Sequence, residues 1–137
     1  MIDSCLHSDG SFAGDLKLNL TGTLVMNGRV VIVQAFRKLS QVIDEVLAKN
    51  QRQPAEAQVF LLHQANQNLI VRVAEALKVS PDRFYSNIDR YGNTSSASML
   101  IAAAEWSERA GFEPQKPVVF AGFGAGFHWG SVLAVGE

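Results

Sequence analysis

Val59-Phe60-Leu61-Leu62-His63-Gln64-Ala65-Asn66 is the stretch on which the fold turns. Four apolar residues in a row, without polar alternation, suit a short strand covered on both faces. From about Ala65 to Val79, Leu69, Val73 and Leu77 recur every four residues, the spacing of one helix face. Strand, polar turn and helix in that order predict an α/β unit. The polar turn then lies just beyond the carboxyl end of a strand, where open α/β sheets keep their ligands.

The same reading extends in both directions. Upstream, Ile32, Phe36, Leu39, Ile43 and Val46 recur at intervals of three or four, predicting a helix from Arg29 to near Asn50. Met1–Leu6 reads as a short strand closed by the turn-forming run Ser8-Asp9-Gly10-Ser11. Phe12–Asn27 has no period and reads as a long surface loop. Downstream, Ser80-Pro81-Asp82 breaks the second helix, Phe84–Ile88 is a strand candidate and Asp89–Ser95 a polar loop. Ala97–Arg109 predicts a third helix rich in small residues, with Gly111 suited to its carboxyl end. Pro114 and Pro117 bracket a linker. Val118–Ala121 reads as a strand, Gly122–Gly126 as a glycine-rich turn and Trp129–Val135 as a closing strand. The expectation is one α/β domain over residues 1–137, with a five-stranded, mixed, mostly parallel sheet and three main helices.

Composition narrows the classes. Apolar residues make up 47% of the 137 and no charge run occurs, which excludes a disordered chain. A formal net charge of -1 with scattered Lys and Arg argues against a nucleic-acid binder. No apolar stretch approaches the ~20 residues that span a bilayer. Met1-Ile2-Asp3 lacks the basic start of a signal peptide. One cysteine, Cys5, allows no internal disulfide and suits a cytoplasmic protein. His7, His63 and His128 are too dispersed to suggest a metal site.

Three clusters fall at strand ends: His63-Gln64-Ala65-Asn66, Tyr91-Gly92-Asn93-Thr94-Ser95 and Phe123-Gly124-Ala125-Gly126-Phe127. If their loops converge on one sheet edge, His63 and Asn93 make a pair of hydrogen-bond donors suited to a thioester carbonyl oxygen. Backbone N–H groups of the 124–126 turn could form a second donor pocket. Each cluster also has an ordinary structural reading. A strand-end His is often a structural hydrogen-bonder, Gly-Asn-Thr-Ser a turn and helix cap, and Gly-Ala-Gly a tight hairpin. His7 and His128 read as structural.

Taken together, His63-Gln64-Ala65-Asn66, Asn87-Ile88-Asp89-Arg90-Tyr91-Gly92-Asn93-Thr94-Ser95 and Phe123-Gly124-Ala125-Gly126-Phe127-His128-Trp129-Gly130 closely resemble the β-ketoacyl-acyl-carrier-protein synthase III family. Leu6-His7-Ser8-Asp9-Gly10-Ser11 and Met26-Asn27-Gly28-Arg29 extend the resemblance over essentially the whole chain. It implies one half of a duplicated thiolase fold, the carboxyl-terminal half of a five-layered αβαβα sandwich. It also implies a decarboxylative condensation of acyl-CoA with malonyl-acyl-carrier protein, in which a cysteine of the amino-terminal half carries the acyl group. His63 and Asn93 would hold the malonyl thioester oxygen. Phe123 would favour decarboxylation from the apolar side, and the Ala125 N–H would serve the oxyanion hole. Gly28, Arg29, Ile32, Ala65, Asn66 and Leu69 would line the CoA/pantetheine tunnel. CoA and carrier-protein thioesters are the implied substrates, with no cofactor or metal.

The departures from the family pattern carry their own expectations. Cys5, inside a strand between Ser4 and Leu6, is not the nucleophile, so the chain alone should be inactive. Asn68 stands where relatives often carry an arginine for the carrier protein, with Arg72 one turn further on. Ala125 replaces a usual glycine. The third helix, with Ala97, Ala102, Ala103 and Ala104, should expose an apolar patch for an amino-terminal half or a second copy, giving a dimer. The rival readings are a non-catalytic acyl-CoA-binding or regulatory module, a fragment without an independent role, and an acyltransferase of secondary metabolism.

Overall fold

The computed structural model describes residues 1–136. Its strands are β1 (Asp3–Ser8), β2 (Leu16–Leu18), β3 (Leu24–Met26), β4 (Val59–Leu62), β5 (Pro117–Gly124) and β6 (His128–Val135). Its helices are α1 (Gly28–Lys49), α2 (Gln67–Ala76), the four-residue α3 (Ile88–Tyr91) and α4 (Ser98–Arg109). Four strands form the main sheet in the order β1-β6-β5-β4, and β2 with β3 makes a separate hairpin.

β4 runs parallel to β5, while β6 is antiparallel to both of its neighbours. The sheet is mixed, as expected, but it has four strands and only one parallel ladder. The missing fifth strand was expected at Phe84–Ile88, where a single parallel bridge joins Phe84 to Phe60. The physical reason is a side chain. After Tyr85 N–H donates to the Phe60 carbonyl, the Gln64 amide takes over: its Nε2 donates to the Tyr85 carbonyl at 3.3 Å and its Oε1 accepts from Asn87 N–H at 3.3 Å. The backbone bonds that would extend a strand are therefore spent on a glutamine.

A second correction concerns Phe12–Asn27, expected as loop. It holds the end of a short 3-10 turn (Gly10–Phe12) and the β2–β3 hairpin, with Leu16 opposite Met26 and Leu18 opposite Leu24. Asn27 ends the segment as an N-cap: its Oδ1 accepts from Val30 N–H at 3.5 Å and its Nδ2 donates to Asp15 at 2.9 Å. α1 therefore starts one residue before the sequence expectation and ends at Lys49.

The two faces of the sheet are covered unequally. Alternation along β4 sends Phe60 and Leu62 to the face carrying α1 and α2, where Leu39, Ile43, Val46, Ile70 and Val73 join them. Val59 and Leu61 point to the other face, against Tyr85, Ala102 and Trp106. All four β4 residues are buried, which explains the uninterrupted apolar run. On α4 the expected patch is partly filled. Ala102 is fully buried and Ala103 half-buried, while Ala97, Leu100 and Ala104 form an exposed stripe. No helix of the described residues is long and apolar enough to cross a membrane.

Candidate active site

His63 is the first residue after β4. Its N–H donates to the Ala121 carbonyl at 2.9 Å, so the β4–β5 pairing carries one residue past the strand and fixes the backbone that presents the imidazole. Nδ1 lies 2.7 Å from Ser98 Oγ at the start of α4. Burial pushes the imidazole pKa below its ordinary value, and the Ser95 carbonyl partly opposes that shift.

Asn93 reaches the same place from another direction. α3 ends at Gly92, whose φ of +65° is a conformation glycine adopts without strain. Asn93 follows, and its Oδ1 accepts from Ser95 N–H at 2.9 Å. That bond orients the amide and leaves Nδ2, a donor, available to a ligand.

A polar network ties these two segments together. Gln64 is fully buried, and besides its backbone partners its Oε1 accepts from Ser86 Oγ at 3.1 Å. Asn87 Nδ2 donates to Glu105 on α4 at 2.9 Å. The Glu105 carboxylate also accepts from Tyr85 Oη at 3.0 Å, Arg90 at 2.7 Å and Tyr91 Oη at 2.8 Å. With so many donors, the Asn87 amide first among them, its pKa falls to about 2. α3, and with it the approach to Asn93, is clamped to α4.

The third segment is the β5–β6 turn. Phe123 and Gly124 end β5, and Gly124 pairs with His128 across the hairpin. Gly126 has φ +137°, a backbone conformation strained for any other residue, and a Cβ there would also press on the His128 ring. The Phe123 ring packs against Phe127 with centroids 4.7 Å apart.

All three segments line one open cleft of about 980 Å³. His63, Asn93, Phe123 and Ala125, expected from sequence as the working residues, are all on its wall. Gly28, Arg29, Ile32, Ala65, Asn66 and Leu69 are not. Gly28 and Arg29 are exposed at the start of α1, with Ile32 partly buried one turn on. Ala65 and Asn66 are exposed before α2, and Asn66 Oδ1 is engaged in capping it at Leu69 N–H. Leu69 itself lies in the core.

Sequence reasoning left out other parts of the wall. His7 and His128, read as structural, both line the cleft. His7 stacks on Trp129 and contacts Glu45 at 2.7 Å, and His128 Nδ1 lies 2.7 Å from Ser8 Oγ. Each thus has a structural partner while facing the cleft. Leu6, Leu16, Leu24 and Met99 give the wall its apolar portion, and the hairpin leucines were hidden inside the supposed loop. Ser98 was missed altogether. Its signal was faint, a serine among the small residues of a helix start. The described residues hold no cluster of His, Cys, Asp and Glu suited to a metal ion. Cys5 is buried in β1, and burial pushes its thiol pKa up.

Comparisons with known proteins bear on the family and the fold. A family model described as 3-oxoacyl-[acyl-carrier-protein (ACP)] synthase III C terminal matches residues 47–135. Beta-ketoacyl-[acyl-carrier-protein] synthase III of Gloeobacter violaceus is 37% identical over 94% of this chain and 44% of its own length. The corresponding protein of Ehrlichia canis is 35% identical over 97% of this chain and 44% of its own. Among solved structures, 3-oxoacyl-[acyl-carrier-protein] synthase III of Aquifex aeolicus superposes with a TM-score of 0.92 at 32% identity, covering 95% of this chain and 42% of that one. The synthase III of Pseudomonas aeruginosa gives 0.94 at 28% identity, covering 99% and 45%. The chain thus spans less than half the length of the proteins it matches.

Proposed function

The chain belongs to the 3-oxoacyl-[acyl-carrier-protein] synthase III family, as a carboxyl-terminal domain with the thiolase fold of its relatives, and we propose that its cleft carries out the decarboxylation half of a condensing reaction. The observation that carries this reading is the convergence of His63, Asn93, Phe123 and Ala125, from three separate segments, on one wall.

The substrates are malonyl-acyl-carrier protein and acyl-CoA. The malonyl thioester oxygen seats at Asn93 Nδ2 and His63 Nε2. When CO₂ leaves, the electrons of the broken C–C bond delocalise onto that oxygen, and the developing charge is stabilised by polar groups already in position. The Phe123 ring offers a carboxylate no hydrogen bond, which favours conversion of that carboxylate to neutral CO₂. The resulting carbanion attacks an acyl group held on a cysteine, with the Ala125 N–H donating to the acyl oxygen.

That cysteine is not Cys5, which is 6% exposed and packed in the core. It comes from an amino-terminal half seated over the exposed stripe of α4. Without a thiolate the chain alone does not condense. No cofactor enters the scheme. Gly28, Arg29 and Ile32 at the start of α1, with Ala65 and Asn66 at the start of α2, border the pantetheine path, and Leu69 supports it from the core. Arg72, exposed on α2 in a groove it shares with Arg37, takes the carrier-protein role that Asn68 cannot fill.

Mixing the chain with the cysteine-bearing half of a relative and measuring CO₂ release from malonyl-carrier protein tests this. Release should fall by ~10²–10³ in His63→Ala and again in Asn93→Ala. No release, or release indifferent to His63, would overturn the proposal. Because this cleft holds no thiolate, the rival reading is a binding module, for which acyl-CoA would bind without CO₂ release in any mixture.

A further inference from the structure

We propose that Lys38 is a positioning residue: its ammonium, shared by the Asp9 carboxylate and the Trp129 indole, latches the turn that carries the Ala125 N–H. A lysine side chain seldom gives up water unless something takes its place. That of Lys38, on α1, is only 13% exposed, and the replacements can be named. Nζ lies 3.4 Å from Asp9 Oδ2, 3.7 Å from the centre of the Trp129 ring and 5.6 Å from the centre of the Phe12 ring. A cation is drawn to the negative face of an aromatic ring, and more strongly where water is excluded.

These partners stand on both sides of the β5–β6 turn. Asp9 and Phe12 follow β1, and Trp129, itself on the cleft wall, belongs to β6. The β5–β6 ladder ends at Gly124 and His128, so it does not reach Ala125, Gly126 or Phe127. Their anchor is Asp9. Beyond Ser8–His128, the last pair of the β1–β6 ladder, Asp9 and Phe127 exchange two backbone hydrogen bonds of 2.8 Å each. Phe127 is fully buried and stacks on Phe12 at 4.9 Å.

Ala125 therefore sits one residue past the end of one ladder and two before the Asp9 anchor. Lys38 fixes that anchor from behind through charge, and fixes Phe12 and Trp129 through their ring faces. His63 and Asn93 are held by other means. The first is tied to the Ala121 carbonyl and Ser98, the second to Ser95 N–H.

The consequence is selective. Under the condensing reading, on which this catalytic meaning rests, Ala125 serves the acyl group on the cysteine, whereas His63 and Asn93 serve decarboxylation. Losing the Lys38 charge should therefore harm acyl transfer more than CO₂ release. A general loosening of the fold would slow both alike. The latch itself rests on geometry alone.

The test compares two rates in a mixture with a relative's cysteine-bearing half. One is acyl transfer from labelled acyl-CoA to the cysteine. The other is CO₂ release from malonyl-carrier protein without acyl-CoA, where a proton quenches the carbanion. Lys38→Met keeps the stem and removes the charge. It should slow acyl transfer about tenfold more than CO₂ release, since a misplacement of ~1 Å can cost ~10²-fold. Lys38→Arg, which keeps the charge, should recover most of the loss. Acyl transfer slowed no more than CO₂ release, or an arginine variant as slow as the methionine one, overturns the proposal. If Lys38→Met does not fold, Asp9→Asn, which removes the ion pair, should show the same selective loss. Amide exchange reads the latch in the chain alone: Phe127 N–H should exchange about tenfold faster in Lys38→Met, and an unchanged rate overturns the latch. A wild-type mixture that shows neither rate, beside faster exchange in the variant, would sink the condensing reading alone.

Discussion

The two faces of the central sheet are built on different physics. Toward α1 and α2, twenty buried residues among those described form one continuous apolar cluster. Toward α4 there are five, and much of the joining is done by polar groups: four side chains converge on the Glu105 carboxylate, and Ser98 ties His63 to the helix start. Apolar packing has no preferred direction and tolerates small displacements, whereas hydrogen bonds fix orientation. The catalytic candidates sit where orientation matters, at the margin of the polar face. That face also keeps an exposed stripe of Ala97, Leu100 and Ala104, with Leu100 70% exposed, as a surface meant to be covered would.

Substitutions on each face should break or sharpen the contrast. The largest effect belongs to the apolar face. Phe60, fully buried and stacked on Phe84 at 4.4 Å, should cost about 3–5 kcal/mol when truncated to alanine, measured by denaturant unfolding. A loss below about 1 kcal/mol would mean that the thick face is not where the stability resides.

Glu105→Gln tests the polar face, with a smaller loss and a pH signature. The folded-state pKa of Glu105 is depressed to about 2 from 4.5, so its contribution is complete above pH 4.5 and is lost as pH falls toward 2. The stability gap between wild type and Glu105→Gln should therefore be widest near neutrality and close over that acid window. A gap that stays constant down to pH 2 would show that the carboxylate charge plays no part in the clamp. Leu100→Ser should have the smallest effect on the chain alone, within about 0.5 kcal/mol. It should nevertheless weaken binding to a cysteine-bearing half by tenfold or more, since burying a leucine is worth about 1.5–3 kcal/mol. Unchanged binding by sedimentation would remove the stripe from the interface.

What the sequence revealed, and what it hid, follows the same division. Apolar periodicity located α1, α2, α4 and the doubly buried β4 to within a few residues, because burial writes directly into residue type. The strand-end rule also led to the cleft: His63 does follow β4, whereas Asn93 arrives after α3 and Phe123 lies within the end of β5, yet all three line the cleft. The polar contacts were not legible. Nothing in Phe84–Ile88 shows that Gln64 will absorb its backbone bonds, since side-chain amides compete for such groups only once the tertiary structure brings them near. The three-residue strands Leu16–Leu18 and Leu24–Met26 are exposed for most of their length, so they carry no burial pattern to read. Glu105 looked like any surface charge on a helix, and Ser98 like any small residue.

The strand order also has a consequence in time. β6, the last of these strands along the chain, lies between β1 and β5 and beneath α1, with Ser131 Oγ donating to the Val42 carbonyl at 2.7 Å. Among the described residues β1, the first strand, pairs with β6 alone, through pairs such as Ser8 with His128, 120 residues apart. At synthesis rates of ~5–20 residues per second, β1 waits on the order of ten seconds before its ladder can form. The hydrogen bonds of α1 and α2 are local and can form in that interval, and α2 can dock on α1. Closing the sheet around β6 carries the long-loop entropy and should be the slow step of refolding.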